Sequence, residues 1–315
     1  MFHVKQVEGS RTPPLFHVKQ KGTDMEYICT DCPRMCGAKR GETGSGFCRM
    51  PAEPVLARAA LHFDEEPIIS GTSGAGTVFF SGCSLKCRFC QNFELSHHDF
   101  GKKVSVNRLR DIYFELIAQG AQNIDLVNPT HYTRAILESL EGGLPVPVVW
   151  NTGGYERIET LKQLEGKVQI YLPDLKYIRS ESARKYSGAK DYFEYAGPAL
   201  KEMLRQTGPV ELDENGRMIR GVLVRHLILP GCADESMEIL DWIAENLPGA
   251  WISLMAQYLP FGNVEGVDEL NRRLNEEEYE AVCDHLIDLG LEDGFVQELS
   301  SSDEKYIPIF DLTGI

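Results

Sequence analysis

The sequence GTVFFSGCSLKCRFCQN, residues Gly76–Asn92, decides how the rest of the chain is interpreted. Its first part predicts a short buried strand at Thr77–Ser81, because an apolar run lies between a Gly/Ser-rich segment and a Ser-Gly turn. Cys83, Cys87 and Cys90 follow at once with the spacing C-x3-C-x2-C. Soft thiolates on one loop can bind three corners of a cuboidal iron–sulfur cluster. The loop has no fourth cysteine, so the fourth iron would keep an open coordination position, as a catalytic metal site does.

A zinc site and three reduced thiols are the alternatives for this loop, but zinc requires a fourth protein ligand, which the loop lacks. The loop, with Phe89 just before its last cysteine, resembles the radical S-adenosylmethionine (radical SAM) superfamily. Its wider context is similar to proteins related to pyruvate formate-lyase activating enzyme, and the resemblance extends from Cys29 to the C-terminus. The matching segments are CPRMCG, HFDEEPIISG, SGCSLKCRFCQN, YLPDLKY, VRHLILPG and SLMAQY.

This resemblance implies two cofactors and a reaction. The cofactors are a 4Fe–4S cluster and S-adenosylmethionine, and cleavage of the latter by one electron releases a 5′-deoxyadenosyl radical that abstracts a hydrogen atom. In an activating enzyme, this hydrogen comes from a glycine Cα of a partner glycyl-radical enzyme. Radical modification of a small molecule or of another protein is the alternative. A non-enzymatic iron–sulfur electron carrier is disfavoured, because a carrier is expected to ligate its cluster fully.

Length, composition and charge limit the class of protein. At 315 residues and 43% apolar composition, the chain can form one α/β barrel-like domain with a small appendage. No apolar run is long enough for a membrane helix, and the N-terminus lacks the apolar region of a secretory signal. Nine cysteines in metal-like spacings indicate reduced thiols and a cytoplasmic location. The net charge of −15 disfavours a nucleic-acid partner, because nucleic-acid binders usually carry a basic stripe.

The N-terminal residues differ in character from the rest of the chain. FHVKQ occurs at Phe2–Gln6 and again at Phe16–Gln20, which is too short and too widely spaced for a structural repeat. Its first four residues can be encoded by the palindrome TTTCACGTGAAA, so we hypothesise that a DNA site is read through as protein and that Met25 is the functional start. The predicted units are a disordered tail at 1–24, a Cys-rich module with a linker at 25–70, and a radical SAM partial-barrel domain at 71–315.

Four further cysteines, Cys29, Cys32, Cys36 and Cys48, have the spacing C-x2-C-x3-C-x11-C. Glycines and a proline between them predict tight turns, which would bring the four thiolates together as a compact metal site. Zinc and a second iron–sulfur cluster both suit four thiolates, and the spacing does not decide between them. Unmetallated cysteines are the alternative.

Apolar runs and amphipathic segments alternate after the cluster loop. The predicted strands are Thr77–Ser81, Ile124–Asn128, Val146–Asn151, Val168–Leu172, Gly221–Leu229 and Trp251–Tyr258. The predicted helices are Leu109–Gly120, Thr133–Leu140, Tyr155–Leu164, Tyr192–Gln206, Ser236–Asn246 and Asn275–Leu289. This alternation indicates parallel strands with right-handed crossovers, and six strands are fewer than the eight of a closed barrel. We therefore expect an α/β fold with an open (β/α)6 partial TIM barrel, a linker at Ala52–Ser70, and a kink or restart of the fourth crossover helix at Pro198.

In such barrels the chemistry lies at the C-terminal ends of the strands. The polar and aromatic candidates for cofactor binding there are Phe89, Asn128, Thr130, Asn151, Asp174, Lys176 and Arg225. The resemblance implies that the DLK element contacts S-adenosylmethionine and the substrate backbone, with Asp174 for an ammonium or ribose hydroxyl and Lys176 for a carboxylate. Lys176 is also the candidate catalytic residue. The Gly-Gly-Glu element that the superfamily carries after its second strand is replaced here by NPTH, where Asn128 and Thr130 offer polar groups.

Basic residues near the cluster loop predict where the electron donor docks. A local basic patch would attract an acidic flavodoxin or ferredoxin to an otherwise acidic protein within a Debye length, about 8 Å at physiological salt. The residues of this predicted patch are Lys86, Arg88, Lys102 and Lys103. Ordinary solvated charges are the alternative. His131 and His226 are expected to be structural rather than catalytic, and the isolated Cys232 and Cys283 are expected to be ordinary buried thiols.

Overall fold

The computed structural model describes residues 26–301 and 309–315, so the predicted tail at 1–24 lies outside the described residues. The strands are β1 (Tyr27–Ile28), β2 (Lys39–Arg40), β3 (Val55–His62), β4 (Ala75–Phe80), β5 (Lys102–Lys103), β6 (Ile124–Val127), β7 (Val148–Thr152), β8 (Ile170–Pro173), β9 (Glu211–Leu212), β10 (Met218–Leu227), β11 (Trp251–Met255) and β12 (Gly294–Val296). The α-helices are α1 (Pro67–Ser70), α2 (Phe93–His97), α3 (Val106–Ala118), α4 (Thr133–Ser139), α5 (Ile158–Leu164), α6 (Ser180–Ser187), α7 (Tyr192–Thr207), α8 (Ala233–Asn246) and α9 (Glu276–Asp288).

One sheet forms the centre of the protein. Its strand order is β12-β11-β10-β8-β7-β6-β4-β3-β5, with β9 paired to β10. Strands β4, β6, β7, β8, β10, β11 and β12 are parallel to one another. Strand β3 pairs antiparallel with β4, and β5 pairs antiparallel with β3. Among the described strands, β5 and β12 at the two ends of this order do not pair, so the barrel is open. The predicted fold class is confirmed.

The predicted strands are buried because helices cover the outside of the sheet. All residues of β4, β6, β7 and β8 are buried, as a parallel sheet with both faces covered requires. Helix α3 shows how a crossover helix covers it: Leu109, Ile112 and Leu116 lie on one buried face at helical spacing, and the Ser105 side chain caps its first turn. A capping box is also present at the start of α9, between Asn275 and Glu278.

Three details differ from the sequence-based expectations. Val55–His62 is a strand of the main sheet rather than part of a linker; Arg58 and His62 interrupt its apolar pattern. Gly294–Val296 adds a seventh parallel strand that is too short to give a periodic signal. Helix α7 continues through Pro198, so of the predicted kink or restart, the restart does not occur. Its apolar face, which includes Leu200, is buried, and this packing offsets the hydrogen bond that proline removes.

Apolar side chains fill the N-terminal end of the barrel interior. Ile68 and Ile69 of the short helix α1 enter this end and contact residues of several strands. The strand residues of this cluster are Ala75, Val149, Ile170, Leu172, Met218 and Leu223. The interior is thus closed below, and open space remains toward the C-terminal ends of the strands.

The Cys-rich segment forms a small module against the C-terminal side of the barrel. Strands β1 and β2 pair as a two-stranded antiparallel sheet. The Arg34 guanidinium joins the module to the barrel, because it donates to the backbone oxygens of Ser84 (2.7 Å), Ser187 (3.0 Å) and Gly188 (2.7 Å). Within the part of the chain that the structure describes, no helix is long and apolar enough to cross a membrane.

Candidate active site

A cavity of about 340 Å³ begins at the C-terminal ends of the parallel strands and extends into the barrel. The three motif cysteines, Cys83, Cys87 and Cys90, line this cavity just after β4. All seven predicted cofactor residues line it as well: Phe89, Asn128, Thr130, Asn151, Asp174, Lys176 and Arg225. The fold therefore places residues that are distant in sequence around a single space.

The motif cysteines lie in surroundings that suit cluster ligands. The sulfur of Cys83 accepts hydrogen bonds from two backbone N–H groups of its own loop, at 3.3 and 3.5 Å, and the sulfur of Cys87 accepts one from the Ser187 hydroxyl at 3.0 Å. Such donors stabilise ligating sulfur and tune a cluster. Burial raises the pKa of Cys90 to about 12, so this thiol keeps its proton until a metal replaces it.

The donor set fits a cuboidal cluster. Each cysteine of such a cluster binds a different iron, so its sulfurs lie farther apart than the ligands of one ion. In residues 26–301 and 309–315, no three or more His, Cys, Asp or Glu side chains are closed around a position for a single metal ion. Three cysteines on one cavity wall, with donors directed at two of the sulfurs, match the chemistry that the motif predicts.

Arg225 organises the polar interior below the cluster loop. Its guanidinium donates to Asp174 Oδ1 (2.9 Å), to Asn151 Oδ1 (2.6 Å) and to Glu65 Oε2 (3.3 Å), and Lys176 Nζ lies 2.5 Å from Asp174 Oδ2. Burial alone would raise the pKa of Asp174, but Arg225 and Lys176 hold it below its ordinary value. Asp174 is therefore an ionised carboxylate whose charge is balanced by two protein cations.

Glu156 is a buried carboxyl group that the sequence reasoning missed. Its Oε1 accepts hydrogen bonds from the hydroxyls of Thr130 and Thr152, each at 2.5 Å, and from the indole N–H of Trp150 at 3.3 Å. Burial raises the pKa of Glu156 to about 7. The Thr130 hydroxyl is therefore already bonded to Glu156. Asn128 has a left-handed backbone (φ 59°), and its side-chain amide donates to the backbone oxygen of Gly82. The sequence signal that could have identified Glu156 is Gly-Gly-x-Glu after the third predicted strand. It comes one strand later than the Gly-Gly-Glu element of the superfamily pattern.

Comparisons with known proteins agree with this site. Residues 69–176 match a family of 4Fe–4S single cluster domains. The uncharacterized protein MJ0674 of Methanocaldococcus jannaschii is 31% identical over 262 residues, which are 80% of this chain and 72% of that protein. The chain belongs to the family of this archaeal protein. The three-cysteine loop lies within residues 69–176, so the matched domain supports a 4Fe–4S cluster at these cysteines.

Solved structures with partial similarity include two of SuiB from Streptococcus suis, each 14% identical over 69% of this chain. The one bound to S-adenosylmethionine has a TM-score of 0.48 and is covered over 48% of its length. The one bound to the precursor peptide SuiA has a TM-score of 0.47 and is covered over 46%, so this chain spans about half of the SuiB chains. Methylornithine synthase (PylB) has a TM-score of 0.44 at 16% identity, with 65% of this chain and 59% of that chain covered.

The two buried histidines of the chain make structural contacts. His131 Nε2 lies 2.7 Å from the Ser81 backbone oxygen, and His226 contacts the Leu175 backbone oxygen (2.7 Å) and the Ser236 hydroxyl (2.9 Å). Burial lowers the pKa of both imidazoles, to about 3 for His131 and about 4 for His226, so both are neutral at physiological pH.

The N-terminal cysteines of the chain are unequal in exposure. Cys29, Cys32 and Cys48 are buried, whereas Cys36 is exposed. The buried Arg40 guanidinium donates to the sulfur of Cys48 at 2.8 Å. Burial raises the pKa of Cys29 to about 11 and that of Cys32 to about 12, so these thiols are protonated unless a metal binds. These described cysteines do not close around a position for a single ion, and the metal predicted for this module stays a prediction.

The predicted basic patch is only partly available to solvent. Arg88 donates to the backbone oxygens of Asn263 (2.9 Å) and Glu265 (3.4 Å), so its guanidinium is directed at a neighbouring loop. Lys86 Nζ lies 5.4 Å from the centre of the Phe47 ring. Lys102 and Lys103 form β5 and are exposed, although Lys103 also pairs with Glu53 at 3.3 Å. The two β5 lysines are the best-placed residues for an approaching protein. Cys232 and Cys283, expected to be buried thiols, are partly exposed.

Proposed function

We propose that this protein is a radical SAM enzyme, which cleaves S-adenosylmethionine reductively and abstracts a hydrogen atom from a substrate held in the barrel cavity. The observation that carries this proposal is the single cavity shared by the motif cysteines and the charged interior residues. When bound, the cluster supplies the electron that breaks the S–C5′ bond of S-adenosylmethionine, which yields the radical that removes the hydrogen.

The chain's own residues would bind and orient the cofactors and exclude water from the site. Cys83, Cys87 and Cys90 would ligate the cluster, and the hydroxyl of Ser187 would remain bonded to the sulfur of Cys87. The Phe89 ring, 6.0 Å from the ring of Tyr258 between centroids, packs behind the loop and keeps water away from it. A dry, preorganised loop strengthens the electrostatic interactions around the site.

Lys176 and Arg225 are the interior cations on which the orientation of S-adenosylmethionine or substrate would depend. Both are anchored on Asp174, at 2.5 and 2.9 Å, so their positions are set before a ligand enters. Lys176 has two further N–H donors on its ammonium, which suit a ligand carboxylate. This arrangement supports the role that the DLK element implies for Lys176.

For the substrate, we propose first a glycine Cα of a glycyl-radical enzyme. This rests on the similarity of several segments to activating enzymes, including the DLK element at Asp174–Lys176. A second candidate is a small molecule, because the cavity continues from the cysteines down to Glu65, inside the barrel, where a compact substrate could be enclosed. The open side of the barrel can admit either class.

For the remaining partners, we propose a flavodoxin or ferredoxin as the electron donor and a metal at the N-terminal module. Exposed lysines on β5 and the acidic charge of such donors support the first. Three buried thiols beside a buried arginine support the second. The nine cysteines are all free thiols, which supports a reducing cytoplasm.

The test uses the full chain, reconstituted anaerobically with iron and sulfide and supplied with S-adenosylmethionine and dithionite. Formation of 5′-deoxyadenosine, measured by liquid chromatography, is the expected result. Absence of this product from a protein with the spectrum of a 4Fe–4S cluster would refute the enzyme. Addition of a glycyl-radical enzyme encoded beside the gene should then give a glycyl radical by electron paramagnetic resonance, and deoxyadenosine formation without that radical would favour the small-molecule substrate.

A further inference from the structure

The sulfur of Cys87 accepts a hydrogen bond from outside the cluster loop. The two backbone donors at the sulfur of Cys83 belong to the loop itself. The donor at Cys87 is the hydroxyl of Ser187, which lies 100 residues later in the sequence, at the end of α6. Ser187 is buried, so water does not compete for this bond. The residues that hold Ser187 in place therefore determine how well the sulfur of Cys87 is stabilised.

Tyr177 fixes the direction of the Ser187 hydroxyl. The buried Tyr177 hydroxyl lies 2.7 Å from Ser187 Oγ. Each hydroxyl has a single O–H group to donate, and that of Ser187 is directed at Cys87. Tyr177 must therefore donate to Ser187, so the two hydroxyls form a chain of hydrogen bonds that ends on the sulfur. Hydrogen bonds in such a chain polarise and strengthen one another.

Arg34 of the Cys-rich module fixes the backbone of Ser187. Its Nη2 donates to the backbone oxygen of Ser187 (3.0 Å) and its Nη1 to that of Gly188 (2.7 Å), where α6 ends. The last carbonyls of a helix lack partners within the helix, and the fork of a guanidinium can satisfy two of them together. Its Nε donates to the backbone oxygen of Ser84 (2.7 Å), within the cluster loop. One side chain thus joins the end of α6 to the loop that Ser187 stabilises.

The Arg34 guanidinium is itself held in one position. It lies over the Phe47 ring, 4.1 Å from its centre, and 5.5 Å from the centre of the Tyr155 ring. Contacts between a guanidinium and aromatic rings are attractive, and the three hydrogen bonds of Arg34 fix its orientation as well. Arg34 lies between Cys32 and Cys36 in the sequence. Its position therefore depends on the conformation of the Cys-rich module.

We infer that Arg34 and Ser187 are positioning residues that set the reduction potential of the cluster. This inference rests on the proposed function, because it concerns the cluster of the same site. A hydrogen bond to a ligating sulfur stabilises negative charge on it, and the reduced cluster carries one more negative charge than the oxidised cluster. The Ser187 hydroxyl therefore raises the potential, and its loss makes the cluster harder to reduce.

This arrangement gives the Cys-rich module a role in controlling electron uptake. A change of backbone conformation at Cys32 or Cys36, such as one caused by the gain or loss of a metal, would displace the Arg34 guanidinium. The end of α6 would then lose its link to the cluster loop, and the Ser187 hydroxyl would lose its fixed position at Cys87. A cluster beside an unassembled module would accordingly accept an electron less readily.

The test is a potentiometric titration of the full chain, reconstituted anaerobically, in which electron paramagnetic resonance follows the reduced cluster. S-adenosylmethionine is left out, so a protein that cannot cleave it gives the same result. Failure to assemble a 4Fe–4S cluster, which would refute the proposed function, is visible in the spectrum before the titration begins. Ser187→Ala should lower the equilibrium constant for one-electron reduction at least about threefold, a shift of about 28 mV to more negative potential.

Arg34→Lys separates geometry from charge. Lysine keeps the positive charge but cannot bridge the three backbone oxygens that the guanidinium joins. This variant should lower the same equilibrium constant at least about twofold, a shift of about 18 mV. The double variant should shift no further than Ser187→Ala alone, because Arg34 acts through Ser187 and the two effects are not independent.

Arg157→Lys is the matched control. Arg157 also joins the module to the barrel, since it donates to the backbone oxygen of Thr30 at 2.6 Å, but its described contacts do not include α6 or the cluster loop. This variant should change the equilibrium constant by less than about 1.5-fold. If Ser187→Ala fails to assemble the cluster, Arg34→Lys compared with Arg157→Lys still decides the question. A native potential in either single variant, additive shifts in the double variant, or equal shifts in Arg157→Lys and Arg34→Lys would each overturn the inference.

Discussion

Substitution of Glu156 by glutamine tests whether a proton is bound in the barrel wall. The Glu156 side chain is fully buried, its Oε1 accepts from two threonine hydroxyls and Trp150, and its Oε2 has no partner. Glutamine keeps the carbonyl acceptor but cannot ionise. The Glu156→Gln variant therefore resembles the protonated form of the native side chain at every pH.

The magnitude follows from the pKa of Glu156, which burial raises from 4.5 to about 7. The folded protein binds this proton more tightly than the unfolded chain, so the free energy of unfolding falls as the pH rises from about 4.5 to about 7, and the loss is then complete. A shift of this size corresponds to about 3 kcal/mol. Glu156→Gln removes the loss, so the variant should gain about 3 kcal/mol relative to the native protein between about pH 4.5 and pH 8.

The assay is urea unfolding of the cluster-free chain under anaerobic, reducing conditions at about pH 5, 6, 7 and 8. Cluster-free protein is used because metal binding has its own pH dependence. Glutamine places an unpaired N–H group at the Oε2 position, which lowers the stability of the variant by the same amount at every pH. The diagnostic quantity is therefore how the difference in unfolding free energy between the native and variant proteins changes with pH. Glu159→Gln, an exposed position of the following helix, should change stability by less than about 0.5 kcal/mol at each pH. A difference between native and Glu156→Gln proteins that does not vary with pH would refute the reasoning.

The other predictions concern the metals and the electron donor. Alanine at any one of the three motif cysteines should abolish 5′-deoxyadenosine formation, whereas Cys232→Ala should retain it; turnover by a motif variant would show that the cluster is assigned to the wrong residues. Cys32→Ala should lose one metal equivalent by elemental analysis but keep the spectrum of the radical cluster, and iron at that cluster alone, without zinc, in the native protein would exclude a metal in the N-terminal module. Lys102→Glu with Lys103→Glu should slow reduction by flavodoxin, less so as salt rises, and leave dithionite-driven cleavage unchanged. Equal loss with both reductants would mean that the fold or the site is damaged.

Sequence patterns predicted the fold where the residues of an element share one environment. The strand ending at Phe80 is buried on both faces, so its apolar run identifies it directly. The strand Val55–His62 was missed because Arg58 and His62 interrupt its apolar residues. Gly294–Val296 is too short to show periodicity, and its position depends on pairing with β11. Edge elements of this kind are specified by tertiary contacts rather than by local pattern.

The residues of the candidate site could likewise be predicted only where a single segment of the chain supplies them. The spacing of Cys83, Cys87 and Cys90 could be read directly, because all three ligands belong to one loop. Asp125 and Glu156 could not, since each is an isolated acidic residue in or beside an apolar strand and its importance comes from neighbours on other strands. The partners of Arg225 likewise come from three different segments of the chain. Sequence can indicate that a strand end is polar, but pairing across the sheet determines which charges meet.

The polar interior of this barrel is better explained by binding than by stability. Closed TIM barrels fill their interior with layers of branched apolar side chains, and the N-terminal end of this barrel is filled in that manner. Above that layer, Arg225 pairs with Asp174 and Glu65 at positions where apolar residues would pack without desolvation cost. A buried ion pair is weak evidence for stability, since replacing it with well-packed apolar residues is often neutral or stabilising. Lys176 and Arg225 are both fixed on Asp174 at the wall of the cavity, so this network places two cations where a ligand enters. A fold selected for stability alone gains little from such a network, whereas one that orients an anionic group of a ligand depends on it.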